Sequence, residues 1–129
     1  MPTSQAVTRG IRVHVESFYV PERSAPSRNH WFFAYRITIH NDGEHAARLR
    51  DRHWIITDAN GRVEHVKGPG VVGKQPRLEP GTSFEYTSFC PLATAFGTMQ
   101  GSYTMETDSG ESFEAEIATF SLCEPFAIN

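Results

Sequence analysis

Apolar and polar residues alternate with a period of two along most of this chain, and no segment carries a helical period. A strand sends successive side chains to opposite faces, so this alternation gathers the apolar groups on one side. Ile11, Val13 and Val15 alternate with Arg12, His14 and Glu16. Trp31, Phe33, Tyr35, Ile37 and Ile39 form an unbroken apolar face opposite Arg36, Thr38 and His40. Further strands are expected around Trp54-Ile55-Ile56, from Arg62 to Lys67, at Phe84 and Tyr86, at Met99, Tyr103 and Met105, and from Phe113 through Ala115 and Ile117 to Leu122. Turn chemistry separates them at Asn41-Asp42-Gly43, Asp58-Ala59-Asn60-Gly61, Glu79-Pro80-Gly81 and Asp108-Ser109-Gly110. Pro21–Asn29 and Pro91–Gly97 are expected loops. The polarity switch at Ser17-Phe18-Tyr19-Val20 predicts a bulge or bend.

About seven or eight short antiparallel strands at roughly 10–15 residue spacing predict an all-β fold. The architecture expected is an immunoglobulin/fibronectin type III-like β-sandwich. With 129 residues the chain has the length of one domain, expected over residues 10–123, with residues 1–9 and 124–129 as flexible tails.

Hydrophobic residues make up 39% and charged residues 21%, the balance of a soluble globular protein. No apolar run approaches the roughly 20 residues that span a bilayer, so no membrane association is expected. The first ten residues, MPTSQAVTRG, lack the apolar core of a signal peptide, and a cytoplasmic location is expected. Residues 1–77 hold all twelve Lys and Arg and seven acids, net +5; residues 78–129 hold eight acids, net −8. The whole chain is therefore −3, which is not the profile of a nucleic-acid binder. Either the strands interleave and mix these charges, or the C-terminal strands build an acidic face suited to a basic partner. Cys90 and Cys123 have no neighbouring Cys or His and are expected to be unbridged, inert thiols.

One stretch invites a nucleotide site. Gly68-Pro69-Gly70-Val71-Val72-Gly73-Lys74-Gln75-Pro76 matches a phosphate-binding P-loop except at Gln75, where Ser or Thr would hold Mg²⁺. A P-loop must also open a helix, and Pro76 and Pro80 leave no room for one. Pro69 removes a cradle N–H. Two readings remain. The glycines make a rigid connection between strands, or Gly70 to Lys74 form an anion-binding concavity of N–H groups, with Lys67, Lys74 and Arg77 around it.

Other chemistry is thin. His40, His45 and His53 lack the close spacing of a metal site. Glu114 and Glu116 share a strand face, with Glu106 and Asp108 expected near them across a hairpin, and a solvated acidic face suffices to explain them. No G-x-S-x-G elbow is present. No catalytic residue, metal ligand or cofactor is assigned, and the chain is expected not to be an enzyme.

Val66 to Ser88, VKGPGVVGKQPRLEPGTSFEYTS, resembles the signature of the ApaG family. Phe33 to Asn41, Arg52 to Asp58 and Gly97 to Met105 resemble further family segments, so the likeness spans roughly residues 10–122. Ala118 departs from a proline common there, and Pro69 fills a variable position. The resemblance implies a fibronectin-type-III-like sandwich and a binding or interaction module of unsettled biochemical role. It also implies links to cobalt resistance and magnesium efflux, and in eukaryotic proteins a role in protein contacts. A pyrophosphate-binding role proposed for the family's glycine motif would fall on Gly68, Gly70, Gly73, Lys74 and Gln75. A protein partner is thus expected, with pyrophosphate or a nucleotide as the alternative.

Overall fold

A computed structural model describes residues 2–125. Among the described residues nine strands form two antiparallel sheets. One sheet has the order β1 (Thr3–Thr8), β2 (Ile11–Tyr19), β3 (Trp31–Asn41), β7 (Ser83–Leu92). The other has the order β5 (Val63–Pro69), β4 (Ala47–Asp58), β8 (Phe96–Thr107), β9 (Ser112–Cys123), with β6 (Arg77–Leu78) also on β4. The fold is the expected all-β sandwich. Pro21–Arg23 and Pro26–Arg28 are single 3₁₀ turns, and no helix among the described residues is long and apolar enough to cross a membrane.

The inward rows of both sheets make one core, including Val13, Val15, Ile37, Ile39, Leu49 and Ile117. Trp54 belongs to this core, edge-on to Tyr35 at 5.3 Å and to Phe120 at 5.9 Å between ring centroids. Such pairs add about 0.5–1.5 kcal/mol each beyond area burial. The Tyr86 and Tyr103 hydroxyls, one from each sheet, hydrogen-bond at 2.5 Å inside this core. Burial raises both pKa values, so both hydroxyls stay protonated. Removing one hydroxyl strands the other in an apolar setting, whereas removing both leaves nothing unpaired. Tyr103→Phe is expected to cost about 1–3 kcal/mol, and the Tyr86→Phe/Tyr103→Phe double variant less than either single one, in urea unfolding.

Three expectations need correction. Residues 3–8 are not a tail: Thr3–Thr8 pair in register with Glu16–Ile11. Their side chains are mostly polar, so no apolar face announced a strand. Ser4 Oγ donates to the Ala118 carbonyl at 2.8 Å, and Thr8 Oγ1 accepts from the Glu116 N–H at 3.0 Å. Secondly, β2 has no bulge at Ser17; its register with β3 is continuous. Ser17 takes an inward place and is 1% exposed because its Oγ donates to the Ser121 carbonyl. The bulges lie instead at Arg50 in β4 and at Ala118–Thr119 in β9. Thirdly, the Pro91–Gly97 loop is shorter, since Pro91 and Leu92 belong to β7 and Phe96 and Gly97 to β8. At the C-terminus, the Glu124 N–H bonds the Ala95 carbonyl. The rest of the expected 124–129 tail, beyond Pro125, lies outside the described residues.

The charges mix rather than segregate. Arg9, Arg50 and Arg77 pair with Glu111, Glu106 and Asp108, so cations of the first part neutralise acids of the second. The two long sides of the sandwich differ. β1 and β2 lie against β9 on one side, joined by the Ser4, Thr8 and Ser17 bonds. On the other side β5 pairs only with β4 and β7 only with β3, and among the described residues no hydrogen bond links β5 to β7.

Candidate functional site

The glycine stretch is a detour along one strand edge. β6 pairs with Ala47 and Arg48 of β4, and β5 pairs with Asp51 to Thr57, so both lie on the same edge. Between them Arg50 bulges. Its freed carbonyl accepts from the Gly70 N–H at 2.8 Å and from Gln75 Nε2 at 2.9 Å. The Leu49 N–H donates to the Pro76 carbonyl. Gln75, the residue that spoils a P-loop, is the amide that ties the loop to the bulge. Gly68 and Pro69 are the last residues of β5, not part of a loop.

Two glycines stand at close approaches, Gly68 against a side chain and Gly70 against backbone. A Cβ on Gly68 would meet the Arg52 guanidinium at 2.9 Å. That guanidinium lies across Gly68 and donates through Nη1 to the carbonyls of Pro69 and Gly70, at 3.0 and 2.9 Å. Gly70 has φ +63, and a Cβ there would lie 2.4 Å from the Lys74 carbonyl oxygen.

The remainder is a tight hairpin. The Val71 and Lys74 backbones exchange hydrogen bonds at 2.8 and 2.9 Å around Val72 and Gly73. Both central residues have positive φ, 43 and 79, the type I′ arrangement. Val71 is buried as an anchor, while Val72 is 54% exposed. A β-branched residue in the left-handed region is strained. Val72→Asn would supply the preferred Asn-Gly pair and is expected to raise stability by about 1 kcal/mol in urea unfolding. Of the five N–H groups from Gly70 to Lys74, three are thus committed to carbonyls, and those of Val72 and Gly73 meet no acceptor among the described residues.

Beside this hairpin, on the open side of the sandwich, lies a cleft of about 440 Å³. Trp54, Ile56, Val66 and Met99 give it apolar walls, and Tyr35, Tyr86 and Ser88 also line it. Arg52 and Glu64 are its charged lining groups. The Arg52 charge opposes, on Tyr35, Tyr86 and Tyr103, the larger upward push of burial on their pKa values. Val72 also lines it, and so does Phe89, which is 50% exposed and stacked on Phe32 under Arg23.

The sequence model of the ApaG domain matches residues 21–107. The chain is 54% identical to Protein ApaG of Brucella anthropi and 57% identical to that of Methylorubrum extorquens strain PA1. Each alignment covers 94% of this chain and 93% of the relative. This chain belongs to the ApaG family. It is also similar to the crystal structure of the ApaA protein from Bordetella pertussis, with TM-score 0.87 and 49% identity, covering 95% of this chain and 97% of that one. Family membership thus rests on nearly the full length, glycine hairpin and cleft included.

The remaining candidates of this ApaG chain are dispersed. Among the described residues no three His, Cys, Asp or Glu side chains converge as metal ligands. His40 contacts Ser83 and Asp42, whereas His53 Nε2 meets His65 Nδ1 at 2.9 Å across β4 and β5. Glu114 accepts from Ser102 and Thr104, and Glu106 is turned to Arg50. Arg77, placed near the anion concavity, is held by Asp108. Cys90 and Cys123 are both unbridged.

Burial, aided by the Glu64 charge, pushes the Cys90 thiol from 9.0 up to about 12. The fold therefore favours the neutral thiol. This contribution is complete below the unfolded pKa near 9 and is lost as pH rises through about 12. At about pH 8 a thiol reagent is expected to label Cys123 and to reach Cys90 only on unfolding.

Proposed function

We propose that this chain is a non-enzymatic binding module that holds a protein partner on the open side of its sandwich. The observation that carries this reading is the cleft itself. It lies between two strands whose outer edges are unpaired, with apolar Val72 and Phe89 exposed at its lining. Unpaired edges and exposed apolar side chains are costly to leave in water, and both are satisfied by a partner chain. The cobalt and magnesium phenotypes implied by family resemblance would then follow indirectly, through the partner. A photo-cross-linking residue at Val72 or at Phe89 is expected to capture the same protein from lysate in stoichiometric yield. The same residue at Val7, exposed on β1 away from the cleft, is expected to capture none. No adduct at either cleft position, or equal capture at Val7, would sink this reading.

The second reading keeps the glycine hairpin as a pyrophosphate or nucleotide site. Its support is the pair of unused N–H groups on Val72 and Gly73 beside Lys74, whose side chain has no partner among the described residues. Against it, the three N–H groups already bonded to carbonyls would have to be released. Titration with pyrophosphate and with dinucleoside polyphosphates decides: shifts at Val72, Gly73 and Lys74 support it, and their absence removes it.

A further inference from the structure

The ends of the cleft differ in charge, which specifies its occupant. Among the described residues Arg9, Arg12, Arg36, Arg50 and Arg77 pair with carboxylates. Arg52 is half-buried in the cleft lining and bonds only two carbonyls, both through Nη1. A half-buried guanidinium with spare donors calls for a carboxylate. Glu64 lines the same cleft and makes no ion pair or hydrogen bond among the described residues. In register, Arg52 lies opposite Gly68 and Ile56 opposite Glu64. Their places in the sheet are therefore four strand residues apart, about 13 Å along the strand direction. Val66 and Trp54 lie between them on the inward row.

Resting on the binding-module reading, we infer that the cleft takes an extended peptide segment of the partner. This segment alternates acidic, any, apolar, any, basic. In a strand the first, third and fifth side chains share one face and span about 13 Å, matching Arg52, the Trp54–Val66 floor and Glu64. The unpaired edge of β7 or β5 provides the backbone ladder for such a strand. A polyphosphate fits worse, since its far end would meet Glu64.

The test is titration of ¹⁵N-labelled protein with the capped peptide Gly-Glu-Thr-Phe-Thr-Lys-Gly and its reversed sequence. The neutral peptide Gly-Gln-Thr-Phe-Thr-Gln-Gly and pyrophosphate alone are the comparisons. The Val66, Tyr86 and Ser88 amides are expected to shift with one charged peptide, and about tenfold more weakly with the neutral one. Glu64→Lys touches no internal bond and should fold unchanged. It is expected to weaken the Lys peptide about tenfold and to prefer Gly-Glu-Thr-Phe-Thr-Glu-Gly instead. Equal response to all peptides, no charge swap in Glu64→Lys, pyrophosphate alone moving these amides, or self-association shielding them would each overturn the inference. Peptide silence with cross-linking at Val72 and Phe89 intact removes the motif and leaves the binding module; loss of both removes both.

Discussion

Gly70→Ala is expected to lower stability by at least about 3 kcal/mol, a large share of the roughly 5–15 kcal/mol that holds a domain of this size. Two costs add. An L-residue at φ +63 is strained by about 1–2 kcal/mol. The new Cβ would also lie 2.4 Å from the Lys74 carbonyl oxygen, which is backbone and already accepts from Val71. Relief requires opening the hairpin, releasing the Arg50 carbonyl and the buried anchor Val71. Gly73→Ala is the matched control: φ is +79 but nothing lies within 4 Å, so about 1 kcal/mol is expected. Urea unfolding of both variants measures the contrast. Equal costs would show that the hairpin is not closed as described.

Gly101→Ala is expected to be more damaging still. Gly101 lies on β8 directly opposite Trp54 of the paired strand β4, beside the bulge in β9. A Cβ there would lie 1.9 Å from the His53 carbonyl oxygen and 3.2 Å from Trp54 Cα. No side-chain rotation relieves a clash with backbone, so β4 must separate from β8. His53 and Trp54 are the neighbours of Arg52, and their displacement would dismantle both the guanidinium clamp and the floor of the cleft. A loss above about 4 kcal/mol is expected, a fall in Tm of roughly 15 °C or absence of a cooperative transition in calorimetry. Gly110→Ala, with φ +91 and open space, should lose about 1 kcal/mol. A native-like Tm for Gly101→Ala would mean that the β4–β8 pairing is looser than this packing allows.

What the sequence could and could not reveal follows from which interactions leave a residue signature. The sandwich was legible because burial on one face forces alternation, as in Trp31 to Ile39, and turns need Gly, Asn or Asp. β1 was hidden because its six residues are held by pairing and by hydroxyl bonds to β9, which favour no apolar pattern. Ser17 misled for the same reason: a hydroxyl whose hydrogen bond is met can occupy an inward place. The Arg50 bulge left only a faint mark: the inward apolar row runs Ala47, Leu49 before the slip and Trp54 after it, and the polar run Arg50-Asp51-Arg52-His53 between them blurs that change of phase. The glycine motif could be located, but its purpose could not. Gly68 answers to a side chain sixteen residues earlier and Gln75 to a carbonyl twenty-five residues earlier. Arg52 and Glu64 are ordinary strand charges in the sequence, twelve residues apart with no motif joining them. Their common cleft exists only once β5 folds back along β4.

Amide hydrogen exchange across Gly70–Lys74, with and without pyrophosphate, tests the central claim most directly. That claim is that the glycine hairpin is closed on itself and leaves binding to the cleft beside it. The N–H groups of Gly70, Val71 and Lys74 should be protected in the free protein, those of Val72 and Gly73 should exchange fast, and pyrophosphate should change none of the five. Fast exchange at all five, with protection gained together on adding pyrophosphate, would contradict the account and make the loop an anion cradle.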